Sequence, residues 1–406
     1  MKRTTLLSAA TPLAVVAAAI LAVGDLTPPP GAVAETGKRL AEIEPRLAEI
    51  EPRLAEIEPR IAVNPTNTPG DATCRYRITQ PGSYYLTANQ TGQSGANLIE
   101  ITSSGVSLDL NGFTLQGVAG SSFGVYVTAN CEGVEIRNGI VRGFGSTGIT
   151  FDLTGTRSAL LENIRAIGNS GGGMRVPDNS LARGCIASQN TGSGIQIGSN
   201  SSVFESFATA NTTYGFFGAA GLNLVGCTAS SNTLAGYSLS GNCVLRNCIA
   251  FSNGDGIASG PDSRVENCVV YRNTLDGIRV NGSSEIVGCS AYENTGDGIQ
   301  TAGRCTLLEN DCDANGYLAG DGAGIHCTGV DKRIEGNKCG GNDRGIDVDS
   351  NGNFLTRNVC SGNTTNWDIA AGNVGLIVSA TISAAVLGNS GGTAPGSTDP
   401  NANFTY

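Results

Sequence analysis

Val265-Glu266-Asn267-Cys268-Val269-Val270-Tyr271-Arg272-Asn273-Thr274-Leu275-Asp276-Gly277-Ile278-Arg279-Val280 holds three short runs of β-branched or alternating residues, separated by polar turn residues. None of the runs is long enough for a helix, and each reads as a strand with turn punctuation. The phrase returns on both sides, from about Gly148 to Asp368. Its Gly-apolar pair stands at Gly173-Met174, Gly194-Ile195, Gly215-Phe216, Gly236-Tyr237, Gly256-Ile257, Gly277-Ile278 and Gly298-Ile299, a step of 21 residues with a single step of 20. A leucine-rich repeat has a similar period but needs several Leu at fixed offsets, and none recur. Three short strands per turn, stacked turn on turn, make a parallel β-helix.

Stacking explains two further columns. Asn169, Asn190, Asn211, Asn232, Asn253, Asn273, Asn294, Asn315, Asn342 and Asn363 each stand just before the Gly-apolar strand. In a solenoid, equivalent residues lie about 4.8 Å apart. A buried Asn at a tight turn then donates its amide to backbone carbonyls and to the next Asn. The Asn column is therefore expected to be a structural ladder. Cys185, Ser206, Cys227, Cys248, Cys268 and Cys289 form the second column, where Cys behaves as a small hydrophobe.

The repeat resembles that of right-handed parallel β-helix proteins of the pectin-lyase-like superfamily, in its carbohydrate-binding and sugar-hydrolase branch. The matching phrase, I-x-N-x-x-x-x-x-N-x-x-x-G-I, runs here from Val265-Glu266-Asn267 through Asn273 to Asp276-Gly277-Ile278. The resemblance covers roughly Ile78 to Asp368. It implies an all-β, single-domain right-handed parallel β-helix of three-stranded coils, with about 21 residues per coil. The hand of the helix comes from the resemblance alone, and the fold carries many activities. We expect about eleven or twelve coils, roughly 50–60 Å long at the strand spacing.

Composition agrees with one elongated domain. The 406 residues include 58 Gly, few aromatics and only 15% charged side chains. A net charge of −10 argues against nucleic acid and anionic membranes as partners. Lys2 and Arg3, the apolar run Leu6–Val23, and Ala32-Val33-Ala34 before Glu35 read as a signal peptide over residues 1–34. The expected location is secreted, periplasmic or cell-surface, with no membrane span after signal removal and a monomer or weak self-association. Thirteen Cys in an exported chain normally suggest disulfides. Parallel side chains in a ladder hold their Cβ atoms slightly too far apart for that, so stacked thiols are expected.

Residues 35–70 read as a linker, in which Leu40-Ala-Glu-Ile-Glu-Pro-Arg46 recurs from Leu47 and from Leu54. Pro45, Pro52 and Pro59 interrupt its heptad spacing. The solenoid is expected over 71–388, with a cap on its first coil, an insertion at Gly316–Gly322 and a seal from Val374 to Leu387. Residues 389–406 read as a loose tail.

Chemistry concentrates in a few columns. Phe251, Tyr271 and Tyr292 point outward by alternation. Asp255, Asp276 and Asp297 precede the Gly-Ile strands, and Arg279 and Gln300 lie outward on them, followed by His326 and Asp347. Aromatics beside an Arg and an amide suit a sugar-binding groove: Phe251, Tyr271, Tyr292, Arg279 and Gln300 are the expected substrate-binding set. Stacked aromatics also stabilise strands, and Asp before Gly is ordinary turn chemistry. Stacked carboxylates are expected to raise each other's pKa or to recruit a cation, with calcium the candidate outside the cell. Asp347-Val-Asp349-Ser-Asn351-Gly352 also matches the opening of an EF-hand-type loop, although Asn358 replaces the closing Glu. The metal candidates are therefore Asp255, Asp276 and Asp297, and separately Asp347, Asp349 and Asn351.

The catalytic motifs implied by the resemblance mostly fail here. The polygalacturonase set N-T-D, D-D, G-H-G, R-I-K is missing, and the single His lies in Gly324-Ile325-His326-Cys327. The D-P-H-D motif of alginate epimerases and the W-I-D-H and R-x-P-x-x-R motifs of pectate lyases are missing too. Arg279 and His326 remain as catalytic candidates. The primary expectation is binding of an extended polysaccharide or envelope glycan without turnover. A lyase, glycoside hydrolase or uronate epimerase is the alternative, and a structural or adhesive surface module is a third.

Overall fold

The computed structural model describes residues 60–316, 322–379 and 399–405. The expected signal peptide, the LAEIEPR repeats up to Pro59, the interior of the Gly316–Gly322 insertion and most of the C-terminal seal lie outside them.

Each coil carries strands on three faces. The first, here the Gly-Ile face, is a 14-stranded parallel sheet running from Cys74–Ile78 to Thr365–Ile369. The second face carries strands such as Arg264–Glu266, and the third strands such as Val269–Tyr271. These two faces join in a 27-stranded sheet, because a single left-handed residue such as Asn267 (φ 53°) turns the chain between them. Every coil pairs in register with the next: Ile257, Ile278, Ile299, Ile325 and Ile346 align on the Gly-Ile face. The described residues thus make fourteen coils, more than expected. The extra ones lie at the N-terminal end, where the phrase is degenerate: Asn97–Ile101 lacks the Gly-Ile pair.

Alternation fills the interior. Ile278, Val265, Val270 and Cys268 are fully buried, and their equivalents in neighbouring coils repeat the pattern. Glycine before the Gly-Ile strand is required by close approach. A Cβ on Gly277 would lie 2.5 Å from the Gly298 carbonyl oxygen and 2.7 Å from Asn294 Nδ2.

That same Asn belongs to the ladder. Asn273 Nδ2 donates to Asn294 Oδ1 (2.9 Å) and to the Ala250 carbonyl (3.3 Å), while the Asn253 N–H and Nδ2 both donate to Asn273 Oδ1. The pattern is continuous from Asn169 to Asn363 and satisfies buried backbone groups that the turn would otherwise strand. Beyond Cys289 the thiol column changes into a second amide ladder, Asn310–Asn337–Asn358–Asn403. All thirteen Cys are buried and unbridged.

Short strands pair with the solenoid at both of its ends. Ile61–Ala62, within the expected linker, pairs in parallel with Tyr84–Tyr85, anchored by Arg60 over the Tyr85 ring and against Asp109. Asn403–Thr405, within the expected loose tail, pairs with Val359–Cys360 and with Ile377–Ser379. In each case a short strand covers a backbone edge that the last full coil leaves open. Among the described residues no helix is long and apolar enough to cross a membrane.

Candidate functional site

On the Gly-Ile face the residue that follows the inward apolar side chain points outward, so the face presents one side chain per coil. In register these are Arg175, Gln196, Phe217, Ser238, Ala258, Arg279, Gln300, His326, Asp347 and Asp368. The column is small in the middle and carries charged, amide and aromatic side chains toward its ends.

Asp255, Asp276 and Asp297 line the edge of this face and form a ladder of their own. Asp255 Oδ1 accepts the Asp276 N–H (3.3 Å), Asp276 Oδ1 the Asp297 N–H (3.0 Å), and Asp297 Oδ1 the Ala323 N–H (2.7 Å). One oxygen of each carboxylate is thereby spent on the backbone of the next coil. The second oxygens meet cations: Arg279 Nη2 lies 2.5 Å from Asp255 Oδ2 and its Nε 3.9 Å from Asp276 Oδ2. Burial, reinforced by the neighbouring Asp297 and Asp255 charges, lifts the Asp276 carboxyl to about 6.

Asp297 Oδ2 receives His326 Nδ1 at 2.8 Å and Gln300 Nε2 at 3.2 Å. The other ring nitrogen, Nε2, lies 3.1 Å from Asp349 Oδ2. Held first by the Asp297 hydrogen bond and then by the surrounding carboxylates, the imidazole is lifted to about 9 and is a cation at neutral pH. Arg344 bridges Asp347 (3.1 Å) and Asp368 (3.3 Å), and burial pushes Asp347 above the usual carboxylate range. These groups line a polar trough of about 680 Å³, whose walls also include Asp276 and Gln300.

The trough gathers Asp276, Asp297, Gln300, His326, Asp347 and Asp349 from the expected set. Asn351 lies past the end of the strand Arg344–Val348, on the stretch 347–358 that leaves it. The stretch runs into the strand Phe354–Thr356, and Asn358 is a buried member of the second amide ladder. The donor set that does converge is His326, Asp347 and Asp349, whose ligand atoms lie within 4.8 Å of one another. An imidazole nitrogen with two carboxylates suits a transition-metal dication better than calcium.

Phe251, Tyr271 and Tyr292 stand on the third face, one turn away from the trough. Their rings stack along the solenoid at 5.0 and 4.9 Å between centroids, tilted by only 7° and 3°. Both faces of Tyr271 are therefore covered, and the strip offers solvent mainly ring edges.

Arg344 and Asp368 were missed by sequence reasoning. Asp368 follows Asn366-Trp367, which stands where the Gly-Ile pair would, so the signal that located the other coils is absent there. Arg344 begins the strand rather than occupying its middle, a position that the column pattern does not reach.

A family model described as a right-handed β-helix region matches residues 123–274 and 213–316. No curated protein matches the sequence. Among solved structures, the A-module of the mannuronan C-5 epimerase AlgE6 of Azotobacter vinelandii superposes with a TM-score of 0.54 at 17% identity, covering 72% of this chain and 88% of that one. The AlgE4 A-module from the same organism gives 0.53 at 17%, covering 72% and 90%. The receptor-binding protein of bacteriophage Det7, a tailspike, gives 0.50 at 12%, covering 86% and 81%.

Proposed function

From the premise that the chain is a right-handed parallel β-helix with the fold of the pectin-lyase-like superfamily, we propose that it is exported and binds an extended glycan along the Gly-Ile face. The observation that carries this reading is the outward column from Arg175 to Asp368, one side chain per coil at a spacing of about 4.8 Å, comparable to the length of one sugar residue. A linear glycan laid parallel to the axis meets a new side chain at each residue. Arg, Gln, Phe, His and Asp on that column supply the mix of polar direction and apolar contact that saccharides require.

A second reading, turnover in the trough, is favoured by one observation. Asp276, with a pKa near 6, is poised to exchange a proton near neutral pH beside carboxylates that His326 and Arg344 keep compensated. Arg279 is the weaker proton acceptor, because it is tied to Asp255 as a cation. A divalent cation at His326, Asp347 and Asp349 would have to displace the imidazolium proton before it could polarise a substrate oxygen.

A glycan array and a reducing-end assay, each run with and without calcium, test both readings against Asp276→Asn and His326→Gln variants. Binding without product supports the first reading. Release of reducing or unsaturated ends, lost in Asp276→Asn, establishes the second. Silence in both assays leaves a structural surface module as the better account.

A further inference from the structure

Toward the N-terminal end of the same face the outward column reads Thr150, Arg175, Gln196, Phe217. Elsewhere on the solenoid Arg246, Arg264, Arg272 and Arg279 each hold a carboxylate. The Arg175 guanidinium has no hydrogen bond or ion pair among the described residues, and neither has the Gln196 side chain. The acid that acts on Arg175 through space, Asp152, is spent. Its Oδ1 accepts the Thr154 N–H at 2.8 Å and its Oδ2 the Tyr126 hydroxyl at 3.0 Å. Burial lowers the Arg175 pKa from its ordinary value, the sign of a guanidinium partly stripped of water without a partner in exchange.

Two cavities meet at this guanidinium. One, about 330 Å³, has Phe151, Phe217 and the carboxylates of Asp152 and Asp178 in its wall, Asp178 Oδ1 accepting the Ser199 N–H at 2.7 Å; the other, about 210 Å³, has Thr150 and Ser193; Arg175 and Gln196 belong to both. Phe217 is 39% exposed and is backed by Tyr214, with ring centroids 5.1 Å apart. A planar cation with free donors, an unpaired amide and an open aromatic ring therefore share one cleft. Arg175 stands seven coils, roughly 34 Å, from His326, and Phe217 five coils from it.

We propose that Arg175 and Gln196 form an anion-recognising subsite, which takes a carboxylate or sulfate-ester group borne by a saccharide whose ring lies against Phe217. The inference rests on the glycan reading and deepens it, because it gives the face a direction. An acid-bearing residue is repelled more by the trough, where five carboxylates face His326 and Arg344, than by Asp152 and Asp178 beside Arg175, whose guanidinium offers paired donors in the geometry an oxyanion accepts.

The test is calorimetric titration of the full chain with two matched hexasaccharide pairs, oligogalacturonate against its methyl ester and sulfated dextran against plain dextran. The charged member of at least one pair should bind at least tenfold more tightly. Arg175→Gln should abolish that preference, Arg175→Lys should retain part of it, and Gln196→Ala should reduce it. The melting temperature of Arg175→Gln should equal or exceed that of the parent, because no internal partner is lost. Preference for the galacturonate pair alone identifies a carboxylate ligand, and for the dextran pair alone a sulfate ester. A preference that survives Arg175→Gln, equal binding within both pairs, or a clear drop in melting temperature overturns the subsite. If neutral glycans bind and respond only to trough variants, the subsite falls while the glycan reading stands. If none of the four probes binds the subsite falls, and a silent glycan array is then needed to remove the broader reading as well.

Discussion

His326 and Asp297 are joined by a 2.8 Å hydrogen bond from Nδ1 to Oδ2, across the junction where the coil between Gly298 and Gly324 is lengthened by an insertion. His326 is the only His in the chain, so its titration can be followed without assignment. Held at about 9 against an ordinary 6.5, the imidazolium contributes on the order of 3 kcal/mol. The folded value is raised, so this stability is fully present below pH 6.5 and is lost as pH rises through about 9. We expect the ¹H–¹³C imidazole signal to titrate near 9 in the parent and well below that in Asp297→Asn. Urea midpoints should fall between pH 6.5 and 9.5 in the parent and stay flatter in His326→Gln. An imidazole titrating at or below 7 would sink this account.

Asp276 carries the opposite balance at neutral pH. Its carboxyl is 17% exposed, has only a distant ion-pair contact with Arg279, and is raised from 3.8 to about 6 by burial first and by its like-charged neighbours next. The folded state therefore favours the protonated form, and the chain loses stability as pH rises from about 4 through 6. Asp276→Asn keeps an oxygen for the Asp297 N–H and removes the charge. It should be more stable than the parent by about 1–2 kcal/mol at pH 7.5 and nearly equal to it at pH 4. Chemical unfolding at the two pH values decides, and a variant less stable at pH 7.5 contradicts the assignment.

The amide ladder should be intolerant of substitution. Asn273→Ala removes an acceptor for two donors of Asn253 and leaves the Ala250 and Asn294 oxygens short of a donor, all in a buried column. The expected loss is about 2–4 kcal/mol. Asn273→Asp preserves shape but loses both donated bonds and buries a charge, so it should cost at least as much. Equilibrium unfolding of the two variants checks the claim. A loss under about 0.5 kcal/mol in either would mean that neighbouring groups or water replace the ladder.

The repeat was legible because a solenoid writes its packing into the sequence one coil at a time. Asn273, Gly277 and Ile278 each answer a local demand, respectively a turn to satisfy, a close approach and an inward position. Those demands recur at fixed spacing. The trough was only half legible. His326 and Asp347 fall in the outward column, but the bond from His326 to Asp297 depends on how the insertion resets the register. Arg344 and Asp368 sit outside the repeated phrase. Arg175, Gln196 and Phe217 follow Gly-Met, Gly-Ile and Gly-Phe at the same offset as Arg279. They were visible in principle and were passed over because no Asp column marks those coils. Stacking hid the geometry of Tyr271: alternation told that the ring points outward, and only the three-dimensional register shows that its neighbours cover its faces.

Lys332 is a local conflict that the repeat makes visible once coils are aligned. It occupies the interior turn column held by Ser263, Ser284 and Cys305 in preceding coils and by Asn353 in the next, where its N–H donates to Asn353 Oδ1 at 3.0 Å. The residue is 2% exposed, its Nζ has no hydrogen-bond partner, and burial pushes its pKa down. A buried ammonium without a partner is destabilising, and its replacement by an apolar chain of similar length removes the penalty. Lys332→Met should therefore stabilise the solenoid by about 1–3 kcal/mol at pH 7. The folded pKa is depressed, so the parent recovers stability as pH rises toward the ordinary 10.5, and the gap between variant and parent should narrow on that approach. Unfolding midpoints at pH 7 and pH 10, with the His326 contribution common to both proteins, measure that gap. A variant less stable at pH 7 would show that the ammonium has a compensating partner and that the column tolerates it by design.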